Sequence, residues 1–236
     1  LTTYLSPCTK GASAKSVRTQ PYSNIKAKQR AFSLKSGYMT SILRKYILGN
    51  EEIDSIVKSP FELKNKSIED IVLEKFKPYY NQTIDSIGEK FNVDRGGKNY
   101  HNRIASAILN LKGKIKGNET FPKVDEFEKA SIVVKTVKFN KNNINKESMS
   151  FPAFRFKDLI KEKWEDEDGN PLAQWHNFLL ETRFLFFIVK EEEGTEVFKG
   201  VKFFSMPEDD IEGPVKKVWE DTKNKLLKGV CLKATY

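Results

Sequence analysis

A mixed α/β fold (α+β) is predicted for these 236 residues: helices first, then a mixed sheet closed by a final helix. Three observations carry the prediction. Apolar residues recur at three- and four-residue spacing through the first half of the chain. Two runs in the second half, 131–139 and 183–189, are β-branched or aromatic and of strand length. Helical spacing then returns beyond residue 215.

The elements follow in order. Residues 1–30 read as an extended basic segment, rich in Ser, Thr, Gly and Pro, and residues 31–236 as one domain. Met39, Ile42, Leu43, Tyr46 and Ile47 predict a helix that Gly49-Asn50 stops. Ser67-Ile68-Glu69-Asp70 opens a short helix that Pro78 ends. Helical patterns run from Tyr79 to Phe91 and from Asn99 to Leu111. Ser131–Phe139 reads as a strand, and Arg183–Val189 as a strand buried on both faces. Glu191–Thr195 reads as a hairpin turn into a strand over Val197–Met206. Pro207 with Glu208, Asp209 and Asp210 suits the start of helical structure. The last helix is expected over Val215–Leu227, with Val218, Trp219, Thr222 and Leu226 facing inward.

Composition narrows the classes of function. No window approaches 18 consecutive apolar residues, so no membrane-spanning helix is expected, and the start has no signal-peptide pattern. The first residue is leucine, which suits a piece of a longer protein. Cys8 and Cys231 have no metal-type spacing and read as reduced thiols of a cytoplasmic protein. The net charge of +9 is localised: the first fifty residues hold Lys10, Lys15, Arg18, Lys26, Lys28, Arg30, Lys35, Arg44 and Lys45 and no acid. Clustered cations of this kind favour an anionic partner, with nucleic acid ahead of a membrane surface.

One constellation resembles a catalytic site. A metal-dependent nuclease holds Mg²⁺ with one or two carboxylates and sets a lysine beside the attacked phosphate. An acid two residues before a lysine on a strand achieves this, because such residues share a face. Val133-Val134-Lys135 has the strand and the lysine, but the acid position is valine.

Lys135-Thr136-Val137, Phe32-Ser33-Leu34-Lys35-Ser36-Gly37-Tyr38, Phe151-Pro152-Ala153-Phe154-Arg155-Phe156-Lys157, Trp175-His176-Asn177 and Phe184–Ile188 together resemble the MutH family. That family contains the mismatch-repair nicking endonuclease and GATC-cutting restriction enzymes. The likeness runs from about Phe32 to Trp219 and is greatest to the C-terminal half of the Sau-type members, which carry two such domains in tandem. The resemblance implies a restriction-endonuclease fold, double-stranded GATC as ligand, and Mg²⁺ as cofactor of the parent enzyme. It also implies a catalytic Asp…Glu-x-Lys set with a second lysine. Carried over, the aspartate falls near Asp125 or Glu126, the glutamate on Val133, its lysine on Lys135 and the second lysine on Leu180. An apolar side chain ligates no metal, so the expectation is a degenerate site with no catalytic residue, no metal and no cofactor of its own. Such a domain would be a DNA-binding effector beside an N-terminal catalytic domain of the same chain.

Candidate DNA contacts are Lys35, Ser36 and Tyr38 before the first helix, the basic loop Lys112, Lys114 and Lys116, and Lys135. Arg183 reads as a structural ion-pair partner. His101 and His176, without a second ligand at metal spacing, read as packing residues, and Trp164, Trp175 and Trp219 as core. The run Glu165–Asp168 reads as a solvated turn. Two alternatives stand beside the effector reading. In one, Asp125, Glu126 or Glu128 supplies the missing ligand for an active nuclease with Lys135. In the other, the chain is a polyanion-binding module with no sequence preference.

Overall fold

The computed structural model describes residues 4–11, 15–49, 53–96, 99–113, 120–145, 147–167 and 169–229. They fall into two compact units that interleave along the chain: Leu1–Tyr4, Leu34–Ser150 and Thr182–Phe204 form the first, and Leu5–Ser33, Phe151–Glu181 and Ser205–Tyr236 the second.

The first unit is built on a three-stranded mixed sheet. Strand β5 (Ile132–Phe139) pairs in parallel with β6 (Arg183–Glu192), and β6 pairs antiparallel with β7 (Thr195–Phe204) across a tight turn. Glu193 and Gly194 both adopt positive φ there, 50° and 79°, as a two-residue hairpin turn demands. One face of the sheet presents Val134, Leu185, Phe187, Val189, Phe198 and Val201, all buried. Against it pack helices α2 (Ile68–Phe76), α3 (Ile84–Lys90) and α4 (Tyr100–Ile108) through Val72, Phe76, Ile84, Ile87 and Ile104. Phe187 and Phe198 stack at 4.4 Å with Phe76 against both. Each such ring contributes about 2–3 kcal/mol through burial. Expectation and observation agree on the mixed α/β character and on these strands.

The helical pattern over Tyr79–Phe91 is interrupted, however. A single 3₁₀ turn ends at Tyr79 and α3 begins only at Ile84. The reason lies in β7: the Asn81 N–H donates to the Phe198 carbonyl at 2.8 Å and the Phe198 N–H to the Gln82 carbonyl at 2.9 Å. Asn81 takes φ 62° to make this junction, and Thr83 then caps α3 through its hydroxyl.

Helix α1 (Ser36–Tyr46) packs on α5 (Asp125–Ala130) by its small residues. Ser41 is buried, its hydroxyl donating to Asp125 at 3.0 Å. A Cβ on Gly37 would stand 2.3 Å from the Glu128 carbonyl oxygen. The apolar stripe that identified the helix is turned outward, with Tyr46 73% and Ile47 70% exposed.

In the second unit β1 (Leu5–Thr9) pairs with β4 (Arg30–Leu34), and β2 (Val17–Gln20) with β3 (Ser23–Lys28). The N-terminal segment is thus extended, as read from its composition, and pairs with itself. The boundary drawn at residue 30 falls inside the β1–β4 pairing. The unit also holds α6 (Phe156–Leu159), α7 (Gln174–Glu181), α8 (Glu208–Asp210) and α9 (Lys216–Leu227), with a π turn over Ile211–Val215. Its buried centre is a polar-aromatic knot. His176 stacks on Trp164 at 4.2 Å and meets Glu212 at 2.7 Å, while the Trp164 indole N–H donates to Glu212 at 3.0 Å. Trp219 is buried beside them, but Val218, expected to face inward, is 57% exposed. Trp175 is half-buried and Cys8 is a free thiol; Cys231 lies outside the described residues. Among the described residues no helix is long and apolar enough to cross a membrane.

Candidate nucleic-acid interface

Strand alternation sets Val133 and Lys135 on one face of β5, while Ile132 and Val134 on the other face are buried. Val133 and Lys135 are both half-buried. The Lys135 ammonium donates to the Ser150 carbonyl at 2.8 Å, and burial holds its pKa below the ordinary lysine value. Among the described residues no carboxylate pairs with it. A desolvated ammonium with only a carbonyl partner is suited to an incoming anion.

The acids named as alternative metal ligands lie on α5, immediately before β5, and each has structural work. Glu126 is buried. One of its oxygens accepts from the Val57 N–H at 2.9 Å and the Ser55 hydroxyl at 2.5 Å, and the other from the Ile56 N–H at 3.1 Å. Asp125 receives the Ser41 hydroxyl and the Lys129 ammonium, the latter at 2.6 Å. Burial of Lys129 opposes its charge, but the hydrogen bond and charge of Asp125 win and raise its pKa. Glu128 pairs with Arg44 at 3.0 Å. Val133 offers no donor atom. This set does not fit Mg²⁺, which needs several free oxygen ligands in octahedral geometry.

The candidate DNA residues are placed unevenly. The Lys35 ammonium donates to the Ala130 carbonyl at 3.0 Å, a tie at the negative end of α5. Ser36 is exposed at the start of α1. Tyr38 packs on Tyr4 with ring centroids 5.4 Å apart and lies under Lys129. Lys112 is exposed, its backbone N–H held by the Asp54 carboxylate at 2.7 Å. Lys114 and Lys116 lie outside the described residues. Lys35, Tyr38, Val133 and Lys135 all belong to the first unit, around the junction of α5 and β5. Leu180 belongs to the second unit, where it stands 42% exposed on α7.

Other expectations are settled directly. Arg183 forms a bidentate ion pair with Glu69, both contacts at 2.7 Å. His101 is a packing residue with a polar edge. It meets Glu196 at 2.7 Å, and Lys138 reaches the same carboxylate at 3.3 Å. Burial, reinforced by the Lys138 charge, lowers the His101 pKa. Burial acts to raise Glu196, but its bonds to His101 and Lys138 prevail and its pKa is lowered. His101 and Lys138 line a cleft of about 230 Å³ at the edge of β5, together with Lys135, Asn102 and Glu147. Among its lining residues only Lys135 and His101 stand out in the sequence, because the others come from separated stretches of the chain.

Fold and site together define a mixed α/β protein with a half-buried strand lysine, Lys135, and a valine two residues before it on the same face. No known family model matches the chain. It is, however, 69% identical over 235 residues, 99% of its length, to the type II restriction enzyme Sau3AI of Staphylococcus aureus. It spans about half (48%) of the length of that relative. The likeness to Sau-type restriction endonucleases expected from the short motifs therefore holds along nearly the whole chain.

Proposed function

We propose that this chain is the DNA-binding, non-cleaving domain of a type II restriction endonuclease, with a MutH-like fold and double-stranded GATC as its ligand. The observation that carries the reading is Val133, which stands on the face of Lys135 where acid-x-lysine chemistry requires a carboxylate. The commitments of Glu126, Asp125 and Glu128 support it, since recruiting any of them to a metal would break contacts on which α1, α5 or the 55–57 segment depends. Mg²⁺ would then be needed by the parent enzyme and not by this domain. Lys135 keeps a phosphate-facing role, its ammonium exchanging a carbonyl partner for an anionic one.

On this reading the partner is an N-terminal catalytic domain of the same chain, and occupancy of a second GATC by this domain favours the active state. Such an effector acts only through different affinities for DNA in the two states. A direct test incubates the chain with an end-labelled GATC duplex in Mg²⁺ and separates products by length. The reading expects a retarded duplex that remains intact. Cleavage abolished by Lys135→Ala would replace it with the active-nuclease alternative.

A further inference from the structure

We infer that the β2–β3 ribbon of the second unit enters the major groove of duplex DNA, with Arg18 and Lys26 on the phosphates and Tyr22 and Asn24 at the base edges. The inference rests on the DNA-binding reading above and names the element that does the binding.

Charge and exposure point to this ribbon. Residues 5–33 carry Lys10, Lys15, Arg18, Lys26, Lys28 and Arg30 and no acid. Every residue from Arg18 to Lys26 is exposed; Tyr22 at the turn is 100% and Ile25 75% exposed. A ribbon wet on both faces gains nothing from a core, and two strands alone are marginal in water. Among the described residues no carboxylate pairs with Arg18 or Lys26. The ribbon therefore presents uncompensated positive charge and unburied apolar area, which duplex DNA would cover with phosphates and base edges.

The base of the ribbon is fixed while its tip is free. The Lys10 N–H donates to the Gln29 carbonyl at 2.8 Å and the Gln29 N–H to the Ser16 carbonyl at 3.0 Å, linking the β2–β3 ladder to the β1–β4 pairing. The Thr9 hydroxyl is hydrogen-bonded to the Asn170 side chain. At the far end Gln20-Pro21-Tyr22-Ser23 forms the turn, with Pro21 presetting its backbone and the Gln20 amide donating to the Ile25 carbonyl at 2.8 Å. Two strands ~4.8 Å apart, with side chains, fill a major groove ~12 Å wide and do not fit a minor groove of ~6 Å. A positioned ribbon that need not order itself on binding loses less entropy than a free tail would.

The test uses the chain as it stands, with a GATC duplex, over 50–200 mM salt. Losing two phosphate contacts in the Arg18→Ala/Lys26→Ala variant should reduce the log–log salt slope by about 1.8. The affinity drop across that fourfold salt range then shrinks about 12-fold, with far-UV circular dichroism unchanged because both sites are exposed. A photo-cross-linking residue at position 22 should label the duplex. The major-groove ligand methyl green should compete with binding, and the minor-groove ligand netropsin should not. If the wild-type chain binds the duplex while the variant keeps the same slope and position 22 labels nothing, the ribbon is not the reader and the DNA-binding reading stands. If the wild-type chain binds no duplex, or binds anionic vesicles in its place, both fall.

Discussion

Replacing Glu126 with alanine is the perturbation that separates a structural carboxylate from a retired or latent metal ligand. The side chain accepts from two backbone N–H groups and one hydroxyl. Ile56, one of the donors, is 0% exposed, so water does not replace the lost oxygen. Each N–H left without a partner costs about 1–3 kcal/mol, which sets the expected loss at about 2–5 kcal/mol after relief of the buried charge. For a chain of this length that lowers the melting temperature by roughly 5–20 °C. Glu126→Gln keeps an oxygen for part of the set and should lose less than half as much. Urea unfolding followed by far-UV circular dichroism and a thermal scan measure both variants. A carboxylate held ready for a ligand behaves oppositely, since its removal relieves strain. Unchanged or raised stability in Glu126→Ala would refute the structural assignment.

Three further outcomes follow from the same geometry. Gly37→Ala drives a methyl into the Glu128 carbonyl and should cost about 1–3 kcal/mol in urea unfolding, without changing the helix signal of the remaining chain. His101 has a folded pKa below its unfolded value near 6.5, so the unfolded state takes up the proton first. Stability is therefore full above that value and is lost as pH falls through it toward the folded pKa. Melting scans between pH 7.5 and 5.5 should show this loss, and His101→Gln should flatten it. Val133→Glu should restore the acid-x-lysine pattern without giving Mg²⁺-dependent cleavage above background in a gel assay, because the acids of α5 remain engaged.

Much of the fold is legible in the chain, and the gaps have physical causes. Strands β5 and β6 announce themselves because Ser131–Phe139 and Arg183–Val189 are unbroken runs of residues that pack on a pleated surface. The stripe of Met39, Leu43, Tyr46 and Ile47 marks a helix correctly but misstates its buried side. Close approach to α5 selects Gly37 and Ser41, and small residues leave no trace in an apolar pattern. The division into two units is hidden because each is assembled from three separated stretches. Val133 beside Lys135 is visible in three consecutive letters. The engagement of Glu126 is not, since its partners lie about seventy residues earlier in an irregular segment. The turn Gln20-Pro21-Tyr22-Ser23 is legible from its proline, whereas the pairing of β2 with β3 is not, because the exposed strands carry no apolar alternation.

The central claim is that the chain reads DNA without cutting it. The most direct measurement is an anisotropy titration onto a labelled GATC duplex and a matched duplex with the site scrambled, in Mg²⁺ at about 0.15 M salt, where nonspecific binding is only ~10⁻⁴–10⁻⁶ M. The account predicts a preference for GATC of ~100-fold or more, with both duplexes intact at the end. Equal affinity for the two duplexes would contradict it and leave a polyanion-binding module in its place.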